Sequence, residues 1–239
     1  NIKDLTMKKL VYIIAFVAFC SVTFTNISAK EKFKAEKPDM EEIKKSIREP
    51  SSPYYYKKLW RKFCSNDTNM NIQEYRHLYL GYVFQEDYNP YRVSEFATKI
   101  QPLYYKKTHT EAECDTIIKY AELSLGDNPF DLNQMQFFIY ALKTKKKFAR
   151  ASIWQYRLNH LLEAILSTGT GKDDSPWYVI SPVHEYNIVN FMGLIATDHK
   201  ELENSIDYIV VDRQNDKSPE GYYFDVSKVL EVYNTKFQE

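Results

Sequence analysis

The stretch NIQEYRHLYLGYV, residues 71–83, predicts an amphipathic α-helix. Its apolar and aromatic residues recur at spacings of three and four, which places them on one face of a helix. Asn71 is a suitable N-cap, and Glu74 three residues later completes a capping box. The pattern therefore predicts a helix that begins after Asn71 and packs one face against its neighbours. The residues of that face are Ile72, Tyr75, Leu78, Tyr79, Tyr82 and Val83.

The flanking segments repeat this spacing, so the sequence predicts a mainly α-helical protein. Ser51, Ser52 and Pro53 are expected to open the preceding helix, because proline fits the first helical turn. Gly126 and Gly169 follow helical segments and are predicted to be C-terminal stops. The connections are short and polar, which favours antiparallel packing of neighbouring helices. The further predicted helices are residues 93–105, 111–125, 132–145 and 148–166.

Two of these segments resemble tetratricopeptide-type helical repeats. EAECDTIIKYAELSLGDNP, residues 111–129, resembles the second helix of a repeat with its Asn-Pro exit. FFIYALKTKKKFARA, residues 137–151, resembles the turn between the two helices of the next repeat. Ile117 and Ala151 lie 34 residues apart, which is the length of such a repeat. The resemblance implies an αα-hairpin stack, which we expect to form the body of the protein over residues 39–168.

The composition changes at residue 169, where helical spacing gives way to β-like alternation. Two runs of alternating residues, SIDYIVVD (205–212) and the run that carries Tyr222, Phe224 and Val226, are predicted to pair as an antiparallel hairpin. Asp225 is expected to cap a final helix. Residues 169–239 are therefore predicted to form a small antiparallel β/α cap packed on the helical body. The first run places Ile206, Tyr208 and Val210 on one face, and a further β-like run is residues 177–180.

Residues 1–29 end in the three-part pattern of a secretory signal peptide. Lys8 and Lys9 form a positive region, fifteen uncharged residues follow, and small or polar residues precede the next lysine. We expect cleavage between Ala29 and Lys30 and export to the periplasm or beyond. The apolar run is too short to span a bilayer, so no stable membrane span is expected in the mature chain.

Three further expectations concern the N-terminal region. Residues 1–6 precede Met7 and are predicted to lie upstream of the true start. Cys20 follows Phe19, whereas a lipidation signal has a small residue there, so lipoprotein anchoring is not expected. Residues 30–38 are charged and have no apolar face, which predicts a flexible leader.

The bulk composition narrows the classes of function. Lys plus Arg equals Asp plus Glu at 32 each, so no basic surplus indicates nucleic-acid binding. Aromatic residues make up 15% of the chain, which suits either a surface for peptide or glycan or the filling of seams between helices. Cys64 and Cys114 remain after signal removal, and they are either separate buried thiols or a disulfide pair.

His184 and Glu185 are the adjacent residues that most suggest chemistry. They follow Ser181 and Pro182, a good N-cap and a good first helical residue, and an acidic residue suits that end of a helix. A zinc protease needs a second histidine four residues on, where Ile188 stands. Adjacent helical residues also point in different directions, which disfavours an acid–base pair. The pair is predicted to be a helix start.

The other patterns carry no recognised chemistry. No Gly-x-Ser-x-Gly elbow is present, and GTGKDDS, residues 169–175, lacks the ending of a phosphate loop, so it is predicted to be a turn. No pair of His or Cys has ligand spacing, so we expect no metal, no cofactor and no assigned catalytic residue. The sequence cannot select a carboxylate pair of the glycosidase kind. The remaining histidines are scattered: His77, His109, His160 and His199.

Three blocks of the chain, in the same order, resemble the domain-of-unknown-function family numbered 4919. The blocks are YRHLYLGYVFQEDYNPY (75–91), GTGKDDSPWYVISPVHEYNIVNFMG (169–193) and GYYFDVSKVLEVY (221–233). Proteins of that family are secreted by gut-type Gram-negative bacteria. The resemblance implies export and a mainly helical fold over about residues 40–237, and it assigns no activity.

Two classes of function are compatible with these patterns. The first is a secreted, non-enzymatic binding module for a peptide, a protein partner or a glycan. The second is a hydrolase of an envelope or dietary polymer that uses an unidentified carboxylate pair. The helical-repeat character and the lack of a nucleophile or metal signature favour the first class. The sequence gives no indication of the oligomeric state.

Overall fold

The computed structural model describes residues 35–213, 215–216 and 218–237. Over these residues the chain is mainly α-helical and carries a small four-stranded mixed sheet. The chain divides into two compact units, of which one is Arg92–Gln155 and the other joins Lys34–Tyr91 to Tyr156–Glu239. The predicted signal peptide, its cleavage site at Ala29 and Lys30, and Cys20 lie outside the described residues.

The helices are numbered in chain order. They are α1 (Met40–Arg48), α2 (Tyr56–Cys64), α3 (Ile72–Gly81), α4 (Glu95–Ile100), α5 (Glu111–Asp127), α6 (Leu132–Thr144), α7 (Phe148–Leu166), α8 (Pro182–Phe191) and α9 (Ser227–Phe237). Short 3₁₀ helices are Tyr82–Phe84, Gln101–Tyr105 and Glu203–Ser205.

The unit Arg92–Gln155 contains α4, α5, α6 and the first part of α7. Thr110 and Glu113 form a capping box at the start of α5, and Asp131 caps α6 by accepting the N–H of Gln134 at 3.0 Å. The predicted helix 93–105 is instead α4 followed by a 3₁₀ helix, because Pro102 has no N–H to donate. Buried residues of α5 and α6 include Cys114, Ile117, Ala121, Met135, Phe138 and Leu142.

The second unit is built around α3, which begins as predicted. Asn71 and Glu74 form the predicted capping box. The prediction of a single buried face is wrong, because residues 74–81 are buried all round the helix, while Ile72 of the predicted face is only half-buried. Aromatic rings fill the seams, as where Phe63 of α2 packs edge-on against Tyr75 with ring centroids 6.4 Å apart. The prediction that Pro53 opens α2 is wrong: the Ser52 hydroxyl accepts the N–H of Tyr54 at 3.0 Å and holds a turn before the helix.

The described end of the predicted leader is part of this unit. The N–H of Glu36 donates to the carbonyl of Ser167 at 2.9 Å. The buried guanidinium of Arg76 donates to the same Ser167 carbonyl at 2.7 Å and to the Glu36 carbonyl at 3.0 Å. Residues 35–38 are therefore anchored rather than flexible, and residues 30–34 lie outside the described part.

The sheet contains β1 (Trp177–Tyr178), β2 (Ala196–Glu201), β3 (Ile206–Val211) and β4 (Gly221–Asp225), in the order β1-β4-β3-β2. The predicted hairpin is confirmed, since β3 and β4 pair antiparallel. The prediction of a wholly antiparallel cap is wrong, because β1 pairs with β4 in parallel. Strand β2 was not predicted, since its sequence ATDHKE has almost no apolar residue.

The boundary between the two observed units differs from the predicted one, which separated a body of residues 39–168 from a cap of residues 169–239. The Tyr88 hydroxyl donates to the carbonyl of Ile180 at 2.6 Å, and the Ser181 hydroxyl donates to the carbonyl of Pro90 at 2.9 Å. These bonds join the C-terminal segment to Lys34–Tyr91, so both belong to one unit.

The two glycines that were predicted to end helices do not occupy C-cap positions. Gly126 lies inside α5, and Gly169 follows α7 by three residues, so neither is the predicted C-terminal stop. The stretch 169–175 is a turn, as predicted, in which the N–H of Ser175 donates to the Lys172 carbonyl at 3.0 Å. Gly171 has a φ of +70° within this turn and lies against the ring of Trp177, where a side chain would collide.

Candidate functional site

Helix α8 begins at Pro182, as predicted, and Ser181 takes the N-cap position. Its hydroxyl makes no capping bond, because it donates instead to the Pro90 carbonyl. The two residues that drew attention in the sequence, His184 and Glu185, are both buried. Their side chains diverge as the helical geometry predicts, so each has its own surroundings.

His184 belongs to a buried hydrogen-bond chain that reaches α3. Its Nδ1 lies 2.6 Å from the Tyr79 hydroxyl, and that hydroxyl accepts the N–H of Ile180 at 3.2 Å. The Tyr79 hydroxyl therefore links the His184 imidazole to the backbone just ahead of α8. Burial raises the pKa of Tyr79 well above its ordinary value, so the hydroxyl stays protonated. This chain fixes α8 on α3.

Glu185 is directed towards the sheet and has unusual surroundings. Its side chain has 0% of its surface exposed. Neither carboxyl oxygen has a hydrogen-bond partner among the described residues. Burial, and secondly the neighbouring Asp207, raise the pKa of Glu185 well above that of an ordinary glutamate. A buried carboxyl group without a hydrogen bond lowers the stability of a fold, so its presence at this position needs an explanation.

Two side chains of the sheet lie beside Glu185: His199 of β2 and Asp207 of β3. The Nε2 atom of His199 lies 3.0 Å from Oδ2 of Asp207 and 3.9 Å from Oε2 of Glu185. Nε2 is not aligned for a hydrogen bond and has no such partner among the described residues. One donor atom from each of the three side chains lies within 4.8 Å of the other two. The Asp207 carboxylate raises the pKa of His199.

An irregularity in β2 places His199 on the correct face. Ala196 pairs with Val211 and His199 pairs with Ile209, so β2 has one residue more than β3 over this interval. Side chains alternate between the faces of a strand, and a regular β2 continuing from Ala196 would place His199 opposite Tyr208 on the other face. The extra residue forms a β-bulge, after which the side chain of His199 lies on the same face as Ile209 and is directed towards α8.

Solvent reaches the three side chains unequally. The side chains of His199 and Asp207 are 18% and 12% exposed, whereas that of Glu185 is fully enclosed. The ring of Tyr186 packs edge-on against the imidazole of His199, with centroids 6.2 Å apart. The cluster is therefore closed on its helix side and open to water beside His199 and Asp207.

Sequence reasoning missed this cluster because its members come from three elements. His199 lies on a strand that was not predicted, and nothing in its spacing from residue 185 marks a ligand set. One signal was present in β3: Asp207 shares the buried face with Ile209 and Val211, whereas residues 206, 208 and 210 are less buried. Acidic residues are rare on the buried face of a strand, so their presence there indicates a functional site.

The cysteines and the other histidines lie outside this cluster. Cys64 is exposed and Cys114 is buried, and both are free thiols. His77 and His160 bond the carbonyls four residues before them, at 2.7 and 2.9 Å. His109 bonds the Leu103 carbonyl at 2.8 Å. None of the helices within the described ranges has the length and apolar content to cross a bilayer.

The fold and the cluster define the class of protein: it is mainly α-helical, with a small mixed sheet and a carboxyl–imidazole cluster buried between the sheet and a helix. The chain belongs to the family described as Domain of unknown function (DUF4919), whose match covers residues 41–235. No curated protein and no solved structure matches the chain. The family resemblance seen in the sequence is thereby confirmed.

Proposed function

We propose that this protein is an exported, non-enzymatic binding module that holds an apolar peptide or protein surface on the unit Arg92–Gln155. The observation that carries the proposal is the distribution of exposed apolar side chains. Of the nine large ones in the described residues, six belong to this unit, although it is the smaller of the two. Exposed apolar side chains that form a patch are a feature of interaction surfaces, and their excess in this unit supports placing the binding surface there. The six are Val93, Phe96, Tyr105, Leu123, Phe148 and Ile153.

The composition of this set favours a peptide or protein over a glycan. Three of the six are aliphatic, and sugars stack on flat aromatic rings rather than on branched side chains. Val93 and Phe148 are the most exposed, at 75% and 60%. Apolar partners with similar side chains would bury both at little polar desolvation cost.

We further propose that this unit is an αα-hairpin stack of the tetratricopeptide-like kind. Four residues connect α5 to α6, which pack against each other, and three connect α6 to α7. Ile117 and Ala151, at equivalent positions of the proposed repeat, are both fully buried. An experimental structure in which α5, α6 and α7 pack as successive antiparallel neighbours would support this arrangement.

Export is proposed from the order of residues 7–29: positive, apolar, then small or polar. The native protein is expected in the periplasm or outside the cell, with an N-terminus at or within a few residues of Lys30. Edman sequencing of native material tests this. A diacylglyceryl-modified Cys20, or retention of residues 8–29, would contradict it.

The binding proposal is tested with peptides displayed on phage and selected on the mature chain. A selected peptide should bind the double variant Val93→Ser, Phe148→Ser at least about tenfold more weakly, because interface energy concentrates in a few apolar anchors. Ile195→Ser, an exposed apolar position of the other unit, is the matched control and should leave affinity unchanged. Equal affinity for all three proteins, measured by fluorescence polarisation, would contradict the proposed surface.

The second candidate is a hydrolase of an envelope or dietary polymer. One observation favours it: the carboxyl groups of Glu185 and Asp207 lie beside the imidazole of His199, as acid–base chemistry requires. Against it, Glu185 is fully enclosed, so a polymer has no access to that carboxyl group. Release of reducing ends or peptides from bacterial cell wall, lost in both Glu185→Gln and Asp207→Asn, would establish this candidate in place of the first.

A further inference from the structure

The cluster formed by Glu185, His199 and Asp207 contains buried side-chain atoms that could ligate a metal and that make no hydrogen bond among the described residues. Both oxygens of Glu185 and Nε2 of His199 are enclosed and make no hydrogen bond to any residue that the structure describes. Glu185 is fully buried and its Oε2 faces Nε2 of His199 at 3.9 Å. The Glu185 carboxyl group is enclosed beside that of Asp207, an arrangement that a bound cation would stabilise.

We propose that Glu185, His199 and Asp207 bind a divalent cation. This inference goes beyond the binding function proposed above and does not depend on it. It assigns one ligand atom to each of three elements: α8, β2 and β3. The ion would accept the lone pairs that are otherwise left without partners.

The distances between the ligand atoms suit a bound ion. Around a cation with bonds of about 2.0–2.2 Å to nitrogen and oxygen, neighbouring ligand atoms stand about 3–4 Å apart. His199 Nε2 is 3.0 Å from Asp207 Oδ2 and 3.9 Å from Glu185 Oε2. All three ligand atoms lie within 4.8 Å of one another.

The donor set indicates which ion. One imidazole and two carboxylates suit Zn²⁺ or Mn²⁺, whereas Ca²⁺ and Mg²⁺ favour sites made of oxygen only. Two carboxylates also balance the two positive charges of the ion, so the complex carries no net charge. Glu201 pairs with Asp207 across the strands and adds to the negative potential at the open side.

Three protein ligands leave at least one coordination position for water. That position would lie beside His199 and Asp207, whose side chains are partly exposed, and away from the enclosed Glu185. An ion entering from this side would tie α8 to the two strands.

The test uses the mature full-length chain, stripped with a chelator and dialysed. Titration with Zn²⁺ and with Mn²⁺ by calorimetry should give one site per chain. Glu185→Gln, His199→Gln and Asp207→Asn should each weaken binding about 100-fold or abolish it, since each removes one ligand. Asp212→Asn makes the same chemical change at an exposed position just beyond β3 and should bind like the wild type.

A measurement on the wild type alone covers the case in which a variant fails to fold. X-ray absorption of the Zn²⁺ complex should show one imidazole nitrogen and oxygen ligands, with no sulfur. Absence of binding at a tenfold excess of either ion would overturn the proposal. Binding that all three variants retain, sulfur ligation, or a preference for Ca²⁺ or Mg²⁺ would overturn it equally.

Discussion

A single buried side chain, Arg76, holds three segments of the chain together. It leaves α3 and donates to the Ser167 hydroxyl at 2.8 Å as well as to the carbonyls of Ser167 and Glu36. Bonds from a charged donor to buried acceptors are among the stronger ones in proteins. Their loss also removes the guanidinium donor of the Glu36 carbonyl, whereas the Ser167 carbonyl keeps the N–H of Glu36, and a buried acceptor that loses its donor costs stability.

Arg76→Met is therefore expected to lower the free energy of unfolding by about 2–4 kcal/mol. Methionine keeps the apolar stem, so the change measures the hydrogen bonds more than the packing. Arg61→Met on an exposed position of α2 is the control and should change stability by less than about 0.5 kcal/mol. Urea unfolding followed by circular dichroism compares the two. Equal free energies of unfolding for the Arg76→Met and Arg61→Met variants would show that Arg76 has no structural role.

Asp131, the cap of α6, gives a pH-dependent prediction. Burial raises its pKa to about 6, against the opposing effect of the N–H groups of Gln134 and Asn133. Because the folded-state pKa exceeds the unfolded value of 3.8, protonation stabilises the fold. This contribution is complete below about pH 4 and is lost as the pH rises through about 6.

Asp131→Asn keeps the capping oxygen and removes the charge. We expect the variant to be more stable than the wild type at pH 7.5, by about 1 kcal/mol, since partial exposure of Asp131 reduces the full linkage value. The two proteins should have the same stability near pH 4. Urea unfolding at both pH values measures the difference, and a variant that is less stable at pH 7.5 would contradict the argument.

At the scale of elements, two glycines are expected to respond in opposite ways to the same change. In Gly171→Ala the new Cβ would lie 2.6 Å from the Trp177 ring, at a φ of +70°, so stability should fall by about 1–3 kcal/mol. In Gly126→Ala the Cβ would meet nothing within 4 Å inside a helix, so stability should rise by up to about 1 kcal/mol. Thermal unfolding of both variants shows the sign of each effect.

Elements whose signals are local were predictable, and those that depend on tertiary context were not. The capping box of Asn71 and Glu74 lies within four residues, and the β3–β4 hairpin is marked by alternation along each strand. Strand β2 is held by its pairing with β3 and has no apolar pattern of its own. For the same reason the sequence could place Glu185 on a helix but could not bring His199 and Asp207 to it.

For the molecule as a whole, the cysteines report on folding. Cys64 is exposed and Cys114 is enclosed within α5, so the folded mature chain, from which Cys20 is expected to be removed, should present one reactive thiol and the denatured mature chain two. Titration with a thiol reagent, before and after addition of guanidinium and without reductant, measures this. A denatured protein with no free thiol would establish the disulfide that the sequence left open.

The additional residue in β2 also bears on how the length of the chain can vary among relatives. Thr197 has no paired residue of its own on β3, so a relative that lacks it would keep His199 opposite Ile209. A residue lost between His199 and Glu201 would instead move His199 opposite Tyr208, on the other face of the sheet. If the three donors matter for selection, gaps in an alignment of the family should collect just before His199 and avoid the remainder of the strand.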